Sequence, residues 1–446
     1  MKKAALHLGV DDTDSDRGGC TTHLGHILVG KALSLGAEFI DYPNLVRLNP
    51  DIPWKTRGNG AVCLRIALDV SEVDGFWEEA VATAEDYIGF TGERDLGMVL
   101  YIGEDPPEEA KELSRVALRS VVSLSGVRHT IESLGVRWHA VGSRRGLVGA
   151  LSAVGNVLLG VDHTFELLAY RTRENWGTKR MVVEASVLQL QEDPLTFANI
   201  DPETGRVLVI PRGLDPVLLG IRGDTAESVH AAFERVDIGE ELRGWTIFVT
   251  NQGTGSHLEI ERRIEDLEPY EQVRVVGTLA RTPKILVGGH VRLSLRDDGG
   301  ELLDCMAYAP SGRLSTVARR LVKGDLVRVS GGVLPKPQGL TLNLERIEVV
   351  ELVAETRRVP PVCPRCRRSM SSLGMGKGYE CRRCSYHISE VSPGIVHRGR
   401  DLSPRILLPP YRSGRHLTKP LKRYGRPNIR DAPGIGFKPW TSFLLG

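Results

Sequence analysis

The chain has 446 residues, 41% apolar and 26% charged, the make-up of a soluble protein too long for one core, so three or four domains are expected. Its 58 Lys and Arg against 56 Asp and Glu leave a net charge of +2, which gives no global electrostatic case for a nucleic-acid partner. No apolar run reaches the roughly 18 residues of a membrane helix, and the run after Lys2 and Lys3 is too short for a secretory signal, so a cytoplasmic protein is expected.

The first part reads as α/β. Strand Ala4–Val10 leads to a helix from Thr21 to Leu35, then a strand-like stretch Phe39–Asn49 and a strand Gly60–Val70. Phe76–Gly89 and Pro106–Ser120 are helical by period and by their acidic starts. From Gly135 the expected order is strand Val136–Val141, helix Gly149–Leu159, strands Phe165–Tyr170, Val182–Leu190 and Arg206–Pro211, helix Ala226–Val236 and strand Trp245–Val249. That order suits a ferredoxin-like α+β domain. Three short strands, a short helix ending at Lys323-Gly324-Asp325 and two more strands then follow the order of an OB-fold β-barrel. From Val396 to Lys438 eleven Lys and Arg face two acids, which marks the C-terminus as a local basic segment.

Two stretches carry chemistry. Cys363-x-x-Cys366 and Cys381-x-x-Cys384 are separated by fourteen residues, a spacing that lets four thiolates close on one structural Zn²⁺. Arg365, Arg367, Arg368, Lys377, Arg382 and Arg383 make this zinc ribbon cationic and favour a phosphate backbone as neighbour. The second stretch, "GVDDTDSDRGGCTTHLG", follows the first strand. A capped turn needs one acid, for which Asp16 or Thr21 would serve as helix cap, but Asp11, Asp12 and Asp14 are then left over. Carboxylates at a strand end suit Mg²⁺, Arg17-Gly18-Gly19 lets the backbone approach an anion, and Cys20-Thr21-Thr22 opens a helix whose N-terminus favours phosphate. "NPDIPWKTRGNGA" supplies Lys55 and Arg57 beside Gly58 and Gly60; "PRGLDPVLLGIRGD" and "TNQGTGSHL" set Arg, Asp and Asn between glycines. Composition alone does not choose between ligand loops and plain turns for these last two.

With "RENWGTKR", the cysteine pairs and the tail "RHLTKPL" in the same order, these motifs resemble the archaeal tRNA(Ile) 2-agmatinylcytidine synthetase family, TiaS, over nearly the whole chain. The resemblance implies an atypical kinase domain at 1–134, the ferredoxin-like domain at 135–265, the OB fold at 266–355, the zinc ribbon at 360–390 and a basic tail at 391–446. It implies an ATP-dependent enzyme with Mg²⁺ and structural Zn²⁺, acting on the isoleucine tRNA with a CAU anticodon. The 2-oxo group of the wobble cytidine would be phosphorylated and then replaced by agmatine. Carried over by motif, Thr21, Asp11, Asp12 and Asp14 are catalytic, with Asp11 and Asp12 holding Mg²⁺. ATP would meet Arg17, Gly18, Gly19, Cys20, Thr22, Lys55, Arg57 and Asn59; agmatine would meet Asp215, Arg222, Asp224 and Asn251. Two other classes compete on the residues themselves: a non-catalytic single-strand-binding protein, which leaves the Asp/Thr cluster idle, and an NTP phosphohydrolase of another RNA.

Overall fold

The opening apolar run becomes strand Lys3–Asp11, with Leu6, Leu8 and Val10 buried. It lies between Gly60–Asp69 and Leu96–Ile102, antiparallel to both. The computed structural model describes the chain except residues 1, 15–17, 56–57, 92–94, 215, 375, 390–393, 401, 403–405, 431–432, 434–437 and 444–446, and describes the backbone alone at 355–358 and 395–398. Strand Arg137–Val141 pairs with Leu96–Ile102, and Asn44–Arg47 pairs with the far side of Gly60–Asp69. There the sheet does not end. Val249 and Thr250 of strand Leu242–Thr250 join Asn44 and Leu45 in a parallel pairing, and Thr164–Arg171 and Val217–Gly223 continue the same sheet. One mixed sheet therefore runs through both halves of the first 250 residues, with a hydrophobic cluster on either side of it. Helix Gly146–Gly155 approaches the sheet very closely: a Cβ at Gly9 would lie 2.1 Å from the Ala150 carbonyl oxygen.

Several expected elements change character. Phe39–Asn49 is broken into Glu38–Phe39 and Asn44–Arg47, because Asp41 turns the chain by accepting from the Tyr42 amide at 2.6 Å ahead of Pro43. Val182–Leu190 is not a strand but contains helix Glu184–Leu188; Val187 and Leu190, three apart, are buried while Val183 and Leu188 are exposed. Arg206–Pro211 is not a strand either. It is the return arm of a small hairpin in which Gly205, at φ 70°, closes the turn on the Asp201 carbonyl. The missing strand is Val217–Gly223, hidden in the sequence by its flanking Gly and Pro; Leu218, Leu219 and Ile221 are fully buried. Helix Leu124–Leu134 has no counterpart among the expected elements. Ser123 caps it by accepting from Gly126 N, and Gly135 ends it in the left-handed conformation.

Strands Gln272–Leu279, Val291–Arg296, Leu302–Ala307, Leu326–Lys336 and Gly339–Glu351 form a closed barrel, since the first pairs with both the second and the fourth. Beyond it, Glu355–Val359 and Gly394–Arg398 pair as a two-stranded stalk that carries the cysteine module. After the stalk the chain returns. Ile406–Leu407 adds to the barrel strand Gly339–Glu351, and Thr441–Phe443 adds to Leu242–Thr250 of the large sheet. Between them the basic segment is spent internally: Arg412 pairs with Asp201 and Glu203, Arg415 with Asp51, Lys419 with Asp162, and Arg423 with Asp162 and Asp224.

Candidate active site and zinc centre

Asp11 ends the opening strand opposite Gly97 and turns its carboxylate onto helix Gly146–Gly155; a Cβ at Gly149 would lie 1.7 Å from Asp11 Oδ2. Burial first, and then the neighbouring Asp12 and Asp14, push the Asp11 carboxyl well above the usual carboxylate range. Asp12 sits at φ 65°, a conformation an Asp tolerates better than most residues and one that redirects the chain at the strand end. A buried acid with two acidic neighbours is stabilised by any cation that joins them, so this donor set suits a hard divalent ion. Farther along, Gly19 is required on two counts: its φ is 80°, and a Cβ there would lie only 2.7 Å from the Thr13 carbonyl oxygen.

Thr13 Oγ1 donates to Thr21 Oγ1 at 3.1 Å, and both threonines are buried. The extended Cys20 is the cap residue of helix Thr21–Ser34 and makes no side-chain capping bond, its Sγ lying 3.0 Å from Thr22 Oγ1; Thr21 is the first helical residue instead of the cap. Tyr87 Oη clamps this corner by accepting from Cys20 N at 2.9 Å. An uncapped helix start next to glycines and hydroxyls is an anion site in waiting.

Two cavities flank this loop and meet at Asn59, itself at φ 46°. The smaller, about 70 Å³, is lined by Asp11, Asp12, Lys55, Trp54 and Arg145. The larger, about 260 Å³, gathers Asp14, Cys20, Thr21, Thr22, Arg47, Glu166, Arg222 and His416. Lys55 and Asn59, both expected at ATP, line the smaller cavity beside Asp11 and Asp12, and Gly18 lies in the loop at φ 143°; Asp16, Arg17, Arg57 and Asp215 lie outside the described residues. Of the residues expected to hold agmatine, Arg222 reaches the cavity, donating to Glu166 at 2.9 Å. Asp224 accepts from Arg423, and Asn251 brackets the Arg47 backbone at 2.8 and 2.9 Å.

Three charged or titratable residues lining the larger cavity lie outside the expectations drawn from the sequence: Arg47, Glu166 and His416. Glu166 had a signal, a lone acid in the wholly buried strand Thr164–Arg171, where an unpaired charge would be very unfavourable. Gln252 donates to its second oxygen, and Arg47 Nη2 stands 3.9 Å away.

The four expected thiols converge. Their sulfurs all lie within 4.8 Å of one another, with Cys363–Cys384 at 3.5 Å and Cys366–Cys381 at 3.3 Å. Zinc–sulfur bonds of about 2.3 Å set tetrahedral neighbours about 3.8 Å apart, so the donor set and its spacing fit Zn²⁺. The module has almost no other core beyond Met370 and the flanking Tyr379, Tyr386 and Ile388.

Residues 7–143 match the family model described as the TiaS TCKD domain, 144–257 the TiaS FLD domain, and 360–402 the TiaS C-terminal zinc ribbon domain. The tRNA(Ile) 2-agmatinylcytidine synthetase TiaS of Cenarchaeum symbiosum is 38% identical over 98% of this chain and 96% of its own. That of Ignisphaera aggregans is 34% identical over 97% of this chain and 96% of its own. A crystal structure of apo TiaS superposes at a TM-score of 0.81 with 34% identity, covering 94% of this chain and 97% of that one. A TiaS complex with tRNA(Ile), AMPCPP and agmatine superposes at 0.79 with 32% identity, over 94% and 97%. With relatives this similar along nearly the full length, the chain belongs to the TiaS family of tRNA(Ile) 2-agmatinylcytidine synthetases.

Proposed function

We propose that this protein uses ATP to phosphorylate the 2-oxo group of the wobble cytidine in the CAU-anticodon isoleucine tRNA and installs agmatine in its place. The carrying observation is the cavity that joins the Asp/Thr loop to Arg47, Glu166 and Arg222, in a chain whose relatives have been crystallised with tRNA(Ile), an ATP analogue and agmatine. An oxygen on a pyrimidine leaves poorly; a phosphoryl group turns it into a good leaving group for the attacking amine. The wobble base must leave its stack to reach such a cavity.

Within this reading Asp11, Asp12 and Asp14 would hold Mg²⁺, which supplies charge stabilisation for the phosphates when bound. Thr21 offers its hydroxyl to the transferred group, held in place by Thr13, while Gly18, Gly19 and the uncapped helix start receive phosphate oxygens. Arg47 and Arg222 balance negative charge arriving in the larger cavity, and Glu166 is the carboxylate there best suited to a cationic amine. The first half is read as the atypical kinase and ferredoxin-like domains, and the closed barrel as an OB fold beside the zinc ribbon. Among the described residues no helix is long and apolar enough to cross a membrane, and the setting is read as cytoplasmic.

Mass spectrometry of the CAU-anticodon tRNA after incubation with enzyme, ATP and agmatine tests the reading. Agmatinylated cytidine is expected with the wild type and is lost in Thr21→Ala and Asp12→Ala, with tRNA binding retained. ATP consumption independent of agmatine would point instead to a phosphohydrolase, and no consumption at all to a binding protein.

A further inference from the structure

His416 stands where three cavities meet. It lines the Thr21 cavity, a groove of about 500 Å³ along the returning C-terminal segment, and a pocket of about 330 Å³ with Lys55 and Arg415. The segment fixes its backbone, since Gly253 N donates to His416 O at 2.9 Å and Gly255 N to Leu417 O at 2.8 Å. The ring is set against Gly58, where a Cβ would lie 3.0 Å from Nε2. It is nonetheless exposed into the cavities, and among the described residues neither ring nitrogen has a hydrogen-bond partner.

The groups around it are cationic. Arg47 comes from strand Asn44–Arg47, Lys55 from the loop that follows, Arg222 from strand Val217–Gly223, and Arg415 from the segment itself. The facing acids are Asp14 from the acidic loop and Glu166 from strand Thr164–Arg171, with Asp51 and Glu345 occupied by Arg415. Among the described residues the buried Arg47 Nε has no hydrogen-bond partner. Arg47 foremost, and with it Arg222, Lys55 and Arg415, hold the imidazole well below its ordinary pKa, so it is neutral. A neutral imidazole with open nitrogens, ringed by guanidinium groups one of which keeps an unsatisfied Nε, is a site short of an anion.

We propose that His416, Arg47 and Arg222 form a phosphate-binding subsite of the catalytic cavity, in which the imidazole hydrogen-bonds a phosphoryl oxygen and is delivered by the C-terminal segment. The inference rests on the reading of the cavity as an ATP- and RNA-handling site. The phosphate belongs either to the ATP triphosphate or to the RNA backbone beside the wobble base. Either one offsets the cationic field, so the pKa of the ring rises toward its ordinary value when the phosphate is bound.

The test is an NMR titration of the full chain carrying ring-labelled histidine, with the His416 resonance assigned by its loss in His416→Ala. It is run free, with AMPCPP alone and with the CAU-anticodon tRNA alone. The expected result is a neutral ring in the free protein and an upward pKa shift of at least about one unit in one arm, the arm naming the source of the phosphate. His416→Ala should then raise the KM for that substrate about tenfold, with zinc content and melting unchanged, and His416→Asn should recover part of the loss. No movement of the resonance in either arm overturns the subsite, whatever the variants do. This readout needs no turnover, so it separates a failure here from a failure of the modification chemistry.

Discussion

The zinc ribbon at 360–390 and the returning segment at 406–443 are neighbours in the chain and alike in basic composition, yet they are held in place by opposite means. The ribbon is local: four thiols between Cys363 and Cys384 close on one point, and a two-stranded stalk carries the module away from the barrel. Among the described residues, none of its Lys or Arg meets a carboxylate within salt-bridge distance; Arg365 lies over the Tyr386 ring instead. The returning segment has no core of its own. It is pinned to the barrel, the large sheet and the loops between them by strand pairing and by ion pairs with acids from distant parts of the sequence. A count of basic residues therefore says little about where phosphate binds. The ribbon's cations remain available to RNA, whereas most of the segment's are consumed by the fold.

This contrast is broken most forcefully at Arg423. Its guanidinium is almost fully buried and donates to Asp162, Asp224 and the carbonyls of Gly253 and His163. Arg423→Ala leaves Asp224 without its guanidinium partner and Asp162 with Lys419 as its remaining cation, and removes the buried donors to the Gly253 and His163 carbonyls, so it should destabilise the catalytic body by about 3–5 kcal/mol in chemical denaturation. A loss no larger than that of an exposed Arg→Ala would show that the segment merely rests on the surface.

A smaller effect per residue should come from acid. Burial pushes His7 down to about 4 and His23 and His26 to about 3; His26 stacks on Phe443 of the segment at 4.4 Å. Above pH 6.5 both the folded and unfolded forms of these rings are neutral and nothing changes. Below it the unfolded chain binds protons that the folded chain refuses, so stability falls by up to about 1.4 kcal/mol per pH unit for each ring, until roughly pH 4 to 3. The ribbon also loses zinc in acid as its thiolates are protonated, so the measurement belongs in the zinc-free Cys366→Ser variant. A melting temperature that stays constant from about pH 6.5 down to about pH 4.5 would contradict the neutral burial of these histidines.

Cys366→Ser itself should show the least. Zinc falls from one per chain to none by elemental analysis, while the main unfolding transition moves by less than about 0.5 kcal/mol, because the ribbon is carried on a two-stranded stalk and its core is its own. Unfolding of the whole chain on loss of zinc would mean that the ribbon braces the body.

Periodicity and turn chemistry made much of the fold legible. The opening strand, the helix after Thr21, and the strand–helix order of the barrel follow their apolar spacing. The errors cluster between residues 182 and 223, where the face of Val217–Gly223 that carries Gly220 and Arg222 opens on the cavity and shows no simple polar alternation, and where short apolar runs at 182–190 fit either period. Within the candidate site, the acidic loop and the cysteine pairs stand out because their partners are close in sequence.

What the sequence determined by itself is chemistry set by short-range spacing: carboxylates, glycines and hydroxyls packed into one strand–helix corner, and thiols paired at knuckle distance. What only the tertiary structure decided is which distant groups complete that corner. Arg47, Glu166, Arg222 and His416 come from four separate places in the chain. They converge through the parallel junction at Val249 and Asn44 and the hydrogen bonds of the returning segment, and long-range pairings of that kind leave no local pattern in the residues that meet.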